Sequence, residues 1–318
     1  MATKEQINAL TKLTKANAAL PILSNVKFET GKISATNLDM AIIIEDEDVT
    51  QNGYVLGPKL KKSGLATIQK HWGLVDNTEH KPEDWPEIKP NEATQSVNEA
   101  TISGMLDALT TVSKDDSRPV LTGIELANST ATSTDGYRLI TRNTGHSLNM
   151  IIPSAAVEII KTTKLMHNWM IGYDKEQVTF KNGKFTLVAR LIDGTYPDWR
   201  KLAPAKAARR VTVKAALLYE ALDLIEGGNI RLDQNGGVYV QAGDRDDSKR
   251  SLIAVMKPDT DIELNINYMH IVMPLKGTSS DQVLLNDSYV RDAVGKSEYA
   301  EFSFNGALEP VVVQGVSR

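Results

Sequence analysis

The 318-residue chain contains no cysteine. That absence excludes disulfides, thiolate nucleophiles and cysteine-based zinc sites, and it suits a reducing cytosol. Histidine is scarce too. His71, His80, His146, His167 and His270 include no i, i+4 pair and no ligand cluster, so no metal site is expected. No apolar run approaches the length of a membrane span, and Met1–Leu10 lacks a signal-peptide core, so a cytoplasmic protein without a membrane partner is expected. The glycine pairs Gly227–Gly228 and Gly236–Gly237 match neither phosphate-loop nor dinucleotide spacing, and Asp244–Asp247 lacks the fixed positions of a calcium loop. Carboxylate pairs such as Asp46 with Asp48, or Asp115 with Asp116, are common on surfaces and do not imply acid–base work. No nucleophile, base and orienting group can be nominated together. The expectation is a non-enzyme with no catalytic residue and no cofactor.

What is present describes an ordinary globular protein, with 24% charged and 41% hydrophobic residues and length enough for two or three cores. The chain repeats one module, an amphipathic helix followed by short alternating strands, at a period of roughly fifty residues. The spacing predicts helices at Thr3–Ala16, Pro58–His71, Asn98–Ser113, Ser154–His167, Lys214–Glu226 and Asp287–Lys296. Strands are expected at Val26–Glu29, Lys32–Thr36, Ala41–Glu45, Val178–Lys181, Lys184–Arg190, Asn229–Leu232, Val238–Ala242, Leu252–Met256, Tyr299–Phe304 and Pro310–Gln314. Turn pairs such as Thr30–Gly31 and Asn182–Gly183 punctuate them. Paired modules suggest three α+β domains. Two Trp–Pro strings, Asp84–Trp85–Pro86 and Pro197–Asp198–Trp199, close the first and second thirds just before polar linkers. A buried ring there can lock a domain end with little entropy loss.

The net charge of −4 is unevenly spread. Lys4, Lys12 and Lys15 against Glu5 leave the first helix at +2; Lys59, Lys61, Lys62 and Lys70 put the second at +4; Lys161 and Lys164 against Glu158 leave the fourth at +1. The third, fifth and sixth are acidic on balance. Any one helix could simply be solvated. Together they point to helices turned toward a polyanion, read through phosphates rather than bases.

The centre of the chain holds Arg118–Pro119–Val120–Leu121–Thr122–Gly123 and, shortly after, Thr134–Asp135–Gly136–Tyr137–Arg138–Leu139. The first reads as a turn feeding a strand through Val120, Leu121 and Ile124, the second as an Asp–Gly turn before a strand. Either alone is also what a hairpin corner with a solvated arginine looks like. Both together, with Ile152–Pro153 and Gly194–Trp199, resemble the central domain of the bacterial sliding clamp, the beta subunit of DNA polymerase III. Leu20–Pro21–Ile22–Leu23–Ser24–Asn25 and Thr36–Asn37–Leu38–Asp39–Met40 are similar to that family's first domain, and Ser288–Ala293 loosely to its third.

The resemblance implies an α+β fold of three similar clamp-type domains, 1–93, 94–206 and 207–318, each with helices lining a central channel and antiparallel sheets outside. It implies a DNA polymerase processivity factor that encircles duplex DNA, independent of sequence, as a homodimer ring. Lys4, Lys12, Lys15, Lys59, Lys61, Lys62, Lys161 and Lys164 are the DNA-facing candidates. Polymerase and clamp loader would dock by short peptides in a cleft of Leu121, Thr134, Gly136, Tyr137, Arg138, Leu139, Pro197, Lys201 and Leu202. The family's tail residues also enter this cleft, and they look like Val272–Met273–Pro274–Leu275, which here lie well before Arg318. Those four either form an extra strand reaching the same place or match by accident. Only about a dozen residues separate His71 from Glu83, too few for the strands a full half-domain needs, so the first domain is expected to be shortened. The alternative is therefore a clamp-fold protein that does not close, a DNA-binding accessory or a decoy for clamp-binding peptides, of cellular or viral origin.

Overall fold

The computed structural model describes residues 2–14, 18, 20–70, 84–203, 206–224, 228–233, 237–242, 250–255, 257–263, 268–275, 282–306 and 308–317. Lys15, Ala16, His71, His80, Glu83, Gly227, Gly236 and the Asp244–Asp247 run lie outside the described residues. The chain divides into two compact units: 1–109, 117–131 and 144–195 form the first, and 110–116, 132–143 and 196–318 the second.

The chain opens with α1 (Lys4–Leu13), which starts at a reciprocal cap. Thr3 Oγ1 accepts the Gln6 N–H at 3.2 Å, and Gln6 Oε1 accepts the Thr3 N–H at 2.9 Å. Ile7, Leu10 and Leu13 form its buried stripe. After a 3-10 turn at Pro21–Ser24 come β1 (Asn25–Glu29), β2 (Lys32–Thr36), β3 (Met40–Glu45) and β4 (Gly53–Leu56). The single helix expected over Pro58–His71 is instead α2 (Gly57–Ser63) and α3 (Leu65–Lys70). Gly64 breaks it: its φ of 76° ends the first helix while its N–H still reaches the Leu60 carbonyl at 2.8 Å.

Next are β5 (Gln95–Val97) and α4 (Glu99–Ala108), capped by Asn98 accepting the Thr101 N–H at 2.9 Å. The strand expected through Val120 and Leu121 is a 3-10 turn at Pro119–Thr122. Proline's fixed φ suits a first helical turn, and the Leu121 N–H and Thr122 hydroxyl close it onto the carbonyls of Arg118 and Pro119. The strand proper, β6 (Gly123–Ala127), starts where that turn ends. It is followed by β7 (Thr130–Thr134), β8 (Arg138–Asn143), β9 (Met150–Pro153), α5 (Ser154–Thr163), β10 (Trp169–Tyr173), β11 (Gln177–Asn182) and β12 (Phe185–Arg190).

In the first unit one antiparallel sheet runs β4-β1-β2-β3-β12-β11-β10-β5. The β3–β12 pairing joins the first third of the chain to the second. Phe28, Ile33, Ile42, Ile44, Phe180 and Phe185 are fully buried, each contributing about 2–3 kcal/mol of apolar burial. Trp169 meets Phe180 and Phe185 edge-on, at 6.3 and 6.1 Å between centroids, and its indole N–H donates to the Leu165 carbonyl. Helix α1 packs against both α2 and α5, and α4 against α5. Trp85 of the first Trp–Pro string meets the Tyr54 ring at a tilt, 5.8 Å between centroids, beside Ile22 and Leu23 of the Leu20–Asn25 motif.

The remainder lies in the second unit: β13 (Lys206–Lys214), α6 (Ala215–Leu224), β14 (Gly228–Asp233), β15 (Gly237–Ala242), β16 (Arg250–Val255), β17 (Lys257–Glu263), β18 (Tyr268–Val272), β19 (Gln282–Asn286), α7 (Asp287–Val294), β20 (Tyr299–Phe304) and β21 (Val311–Val316). Two sheets form here, one with the run β17-β13-β20-β21-β18-β8 and the other β16-β15-β14-β19. Leu218 and Leu222 of α6, Val290 and Val294 of α7, and Ile230, Val240, Phe302 and Phe304 share one core.

Candidate peptide cleft and nucleic-acid interface

The turn before β8 is built by its own side chains. Asp135 Oδ1 accepts the N–H groups of Tyr137 and Arg138, each at 3.0 Å. Thr134 Oγ1 donates to the Arg138 carbonyl at 2.7 Å and accepts the Gly136 N–H at 3.0 Å. Gly136 sits at φ 92°, where a side chain would strain the backbone. The turn leaves Tyr137 66% exposed and sends Leu139 inward. Leu139 is buried in a cluster with Trp199, Met269, Ile271 and Val312.

Arg138 folds back instead of reaching into water. Its Nε donates to Asp135 Oδ2 at 3.0 Å, Nη1 to the Asp292 carboxylate and Nη2 to the Thr110 carbonyl at 2.9 Å. Its guanidinium lies 4.4 Å from the centre of the Tyr289 ring. Burial pulls its pKa down, but the hydrogen bonds to Asp292 and Asp135 more than offset this and leave it raised. The solvated arginine of a hairpin corner is thus ruled out by its partners.

Val272–Leu275 lies beside this turn. Strand β18 pairs with β8, Val272 opposite Arg138 and Ile271 opposite Leu139. The Met273 N–H continues the ladder to the Tyr137 carbonyl at 2.9 Å, and the Leu275 N–H donates to the Leu284 carbonyl at 2.8 Å. Val272 is buried, while Met273, Pro274 and Leu275 are half-buried. The other neighbour of β18 is β21, near the end of the sequence. Val272 ends β18 beside β8, and Met273, Pro274 and Leu275 follow it outside any strand. His270, on the same strand, is buried; its burial pushes the pKa down to about 4, and the charges of Arg138 and Arg142 add to this.

The second Trp–Pro string reaches the same place. The Thr134 N–H donates to the Tyr196 hydroxyl at 3.1 Å, and Trp199 is buried against Leu139. Around that ring Pro197, Lys201 and Leu202 are exposed, with Lys201 3.0 Å from Asp198. Leu121 belongs to the first unit, buried at the end of its 3-10 turn. Tyr196, Trp199, Tyr289, Asp292 and Thr110 were not among the candidates. A partner 154 positions from Arg138 leaves no local spacing to detect.

The basic residues lie on helices of the first unit. Lys4 and Lys12 are on α1, Lys59, Lys61 and Lys62 on α2, Lys161 on α5 and Lys164 just after it, all exposed. Two are partly compensated: Lys12 lies 3.8 Å from Glu158, and Lys164 3.5 Å from Glu5. Among the described residues, Lys4, Lys61, Lys62 and Lys161 have no carboxylate within ion-pair distance. In the second unit, α6 exposes Ala216, Leu217, Glu220, Asp223 and Leu224 and no cation. No group of three metal-ligating side chains occurs among the described residues, and no described helix is long and apolar enough to cross a membrane.

Lysine-bearing helices packed with an antiparallel sheet in the first unit, and a turn with exposed Tyr137 in the second, are features that fit a clamp-type fold. The comparisons agree. Residues 97–198 match the family model for the central domain of the DNA polymerase III beta subunit. The Staphylococcus aureus beta sliding clamp is 24% identical, with 97% of this chain and 92% of that protein covered. The Bacillus subtilis beta sliding clamp is 25% identical over 83% of this chain and 70% of its own length. The crystal structure of the DNA polymerase sliding clamp from B. subtilis superposes with a TM-score of 0.72 at 17% identity, covering 99% of this chain and 93% of that one. That of the DNA polymerase III beta subunit from Thermotoga maritima gives 0.73 at 14% identity, covering 99% and 94%. Over nearly its whole length the chain is thus similar to beta sliding clamps in sequence, and it shares their fold.

Proposed function

We propose that this protein is a cytoplasmic DNA sliding clamp, a non-enzymatic processivity factor that encircles duplex DNA as a homodimeric ring. Its three domains would be 1–93, 94–206 and 207–318. The observation that supports the peptide-binding half of this reading is the ladder between β8 and β18, which continues to Met273 beside Tyr137. Exposed Tyr137, Leu202 and half-buried Met273 over the buried Leu139–Trp199 core offer anchor sites to an extended peptide, the form in which polymerase and clamp loader would be held. The lysines of α1, α2 and α5 supply the sequence-independent contact to phosphates.

Ring formation is tested by size-exclusion chromatography with light scattering at micromolar concentration. Twice the chain mass is expected. A strict monomer would favour the non-closing reading, in which the chain binds DNA or clamp-binding peptides without a topological link.

A further inference from the structure

We propose that Arg138 is a positioning residue, a latch that ties α7 to the turn holding Met273 and does not itself ion-pair with the bound peptide; this rests on the peptide-cleft reading above. Each nitrogen of the guanidinium has a partner. Its three nitrogens bond Asp135, Asp292 and the Thr110 carbonyl, its face covers Tyr289, and its side chain is 16% exposed. Three of its five N–H groups are taken up by these bonds, and two carboxylates already neutralise its charge, so little of it is left for a ligand carboxylate. Two carboxylates against one cation also leave the cluster net negative, so an acidic peptide gains nothing there.

The bonds run in series toward the cleft. Asp292 and Tyr289 are on α7, and Asp292 holds Arg138. Arg138 holds Asp135 Oδ2, whose other oxygen accepts the Tyr137 N–H. The Tyr137 carbonyl then accepts the Met273 N–H. Loss of the cation would leave Asp135 and Asp292 facing each other, and the turn would shift along with the Met273 bond.

The test uses Arg138→Gln, Asp292→Asn and the double variant of the full chain. Two probes are compared, the fluorescein-labelled synthetic peptides Ala-Leu-Asp-Leu-Phe and Ala-Leu-Asn-Leu-Phe. Asp292→Asn, which leaves Arg138 in place, should weaken both probes by the same factor, roughly fivefold to tenfold. It should also speed exchange of the Met273 amide hydrogen, and the double variant should bind no more weakly than Arg138→Gln alone. Unchanged Met273 exchange in Asp292→Asn would overturn the proposal. So would a preference for the Asp peptide in the wild type that Arg138→Gln abolishes. If neither peptide binds the wild type, the cleft reading fails, and Met273 exchange still decides the latch.

Discussion

Tyr137 and Leu139 are neighbours on one turn, and the structure predicts that truncating them has opposite consequences. Tyr137 is 66% exposed, so its removal should change folding stability by no more than about 0.5 kcal/mol. A tyrosine so exposed presents roughly 100 Å² to a ligand; at about 25 cal/mol per Å², half of it covered by peptide is worth about 1.3 kcal/mol, close to tenfold in affinity. Leu139 is 6% exposed and sits against Trp199, Met269, Ile271 and Val312. Leu139→Ala should cost about 3 kcal/mol, which lowers the melting temperature by roughly 6–12 °C. Fluorescence polarisation with a labelled leucine-containing pentapeptide reads the first effect, and thermal denaturation followed by circular dichroism reads the second. The reasoning is refuted if Tyr137→Ala binds the peptide normally while Leu139→Ala abolishes binding with an unchanged melt.

Lys61→Gln and Lys62→Gln should weaken association with a short DNA duplex more than Lys12→Gln, because Glu158 already faces Lys12; anisotropy at several salt concentrations measures this. Replacing Lys59, Lys61 and Lys62 together by Glu should flatten the dependence of log affinity on log salt by up to about 2.7, near 0.9 per lost phosphate contact, and an unchanged slope would remove α2 from the interface. His270 binds its proton more weakly folded than unfolded, with a pKa of about 4 against an ordinary 6.5. The unfolded chain therefore takes up more protons between these values, and stability present above pH 6.5 should fall as pH drops toward 4, by a total of about 3 kcal/mol. His270→Gln should flatten that part of the melting-temperature profile; a flat wild-type profile would show that burial does not depress His270.

Much of the fold was legible because its signals are local. The stripe of Ile7, Leu10 and Leu13 and the cap at Thr3 place α1 to within a few residues. The alternating strands and Gly31 turn place the β2 hairpin. At two places the chain chooses between nearly equal local structures. The helix expected over Pro58–His71 breaks at Gly64, and the strand expected through Val120 and Leu121 coils into a 3-10 turn. The site was half legible. The turn chemistry of Thr134–Arg138 is written in adjacent residues, whereas the partners of Arg138 on α7 and the place of Val272–Leu275 beside β8 depend on long-range pairing. Nothing in the spacing of residues 138 and 292 could reveal either.

Encirclement is a topological property, so the most direct measurement is retention on DNA whose ends are closed or open. Labelled protein placed on nicked circular duplex DNA by a loader is passed through a gel-filtration column in moderate salt, before and after linearisation with a single-cutting nuclease. A closed ring stays with the circle and runs off the linear DNA. Equal retention on both forms, or loss from both at the same salt, would mean that the protein holds DNA by its lysines alone and does not encircle it.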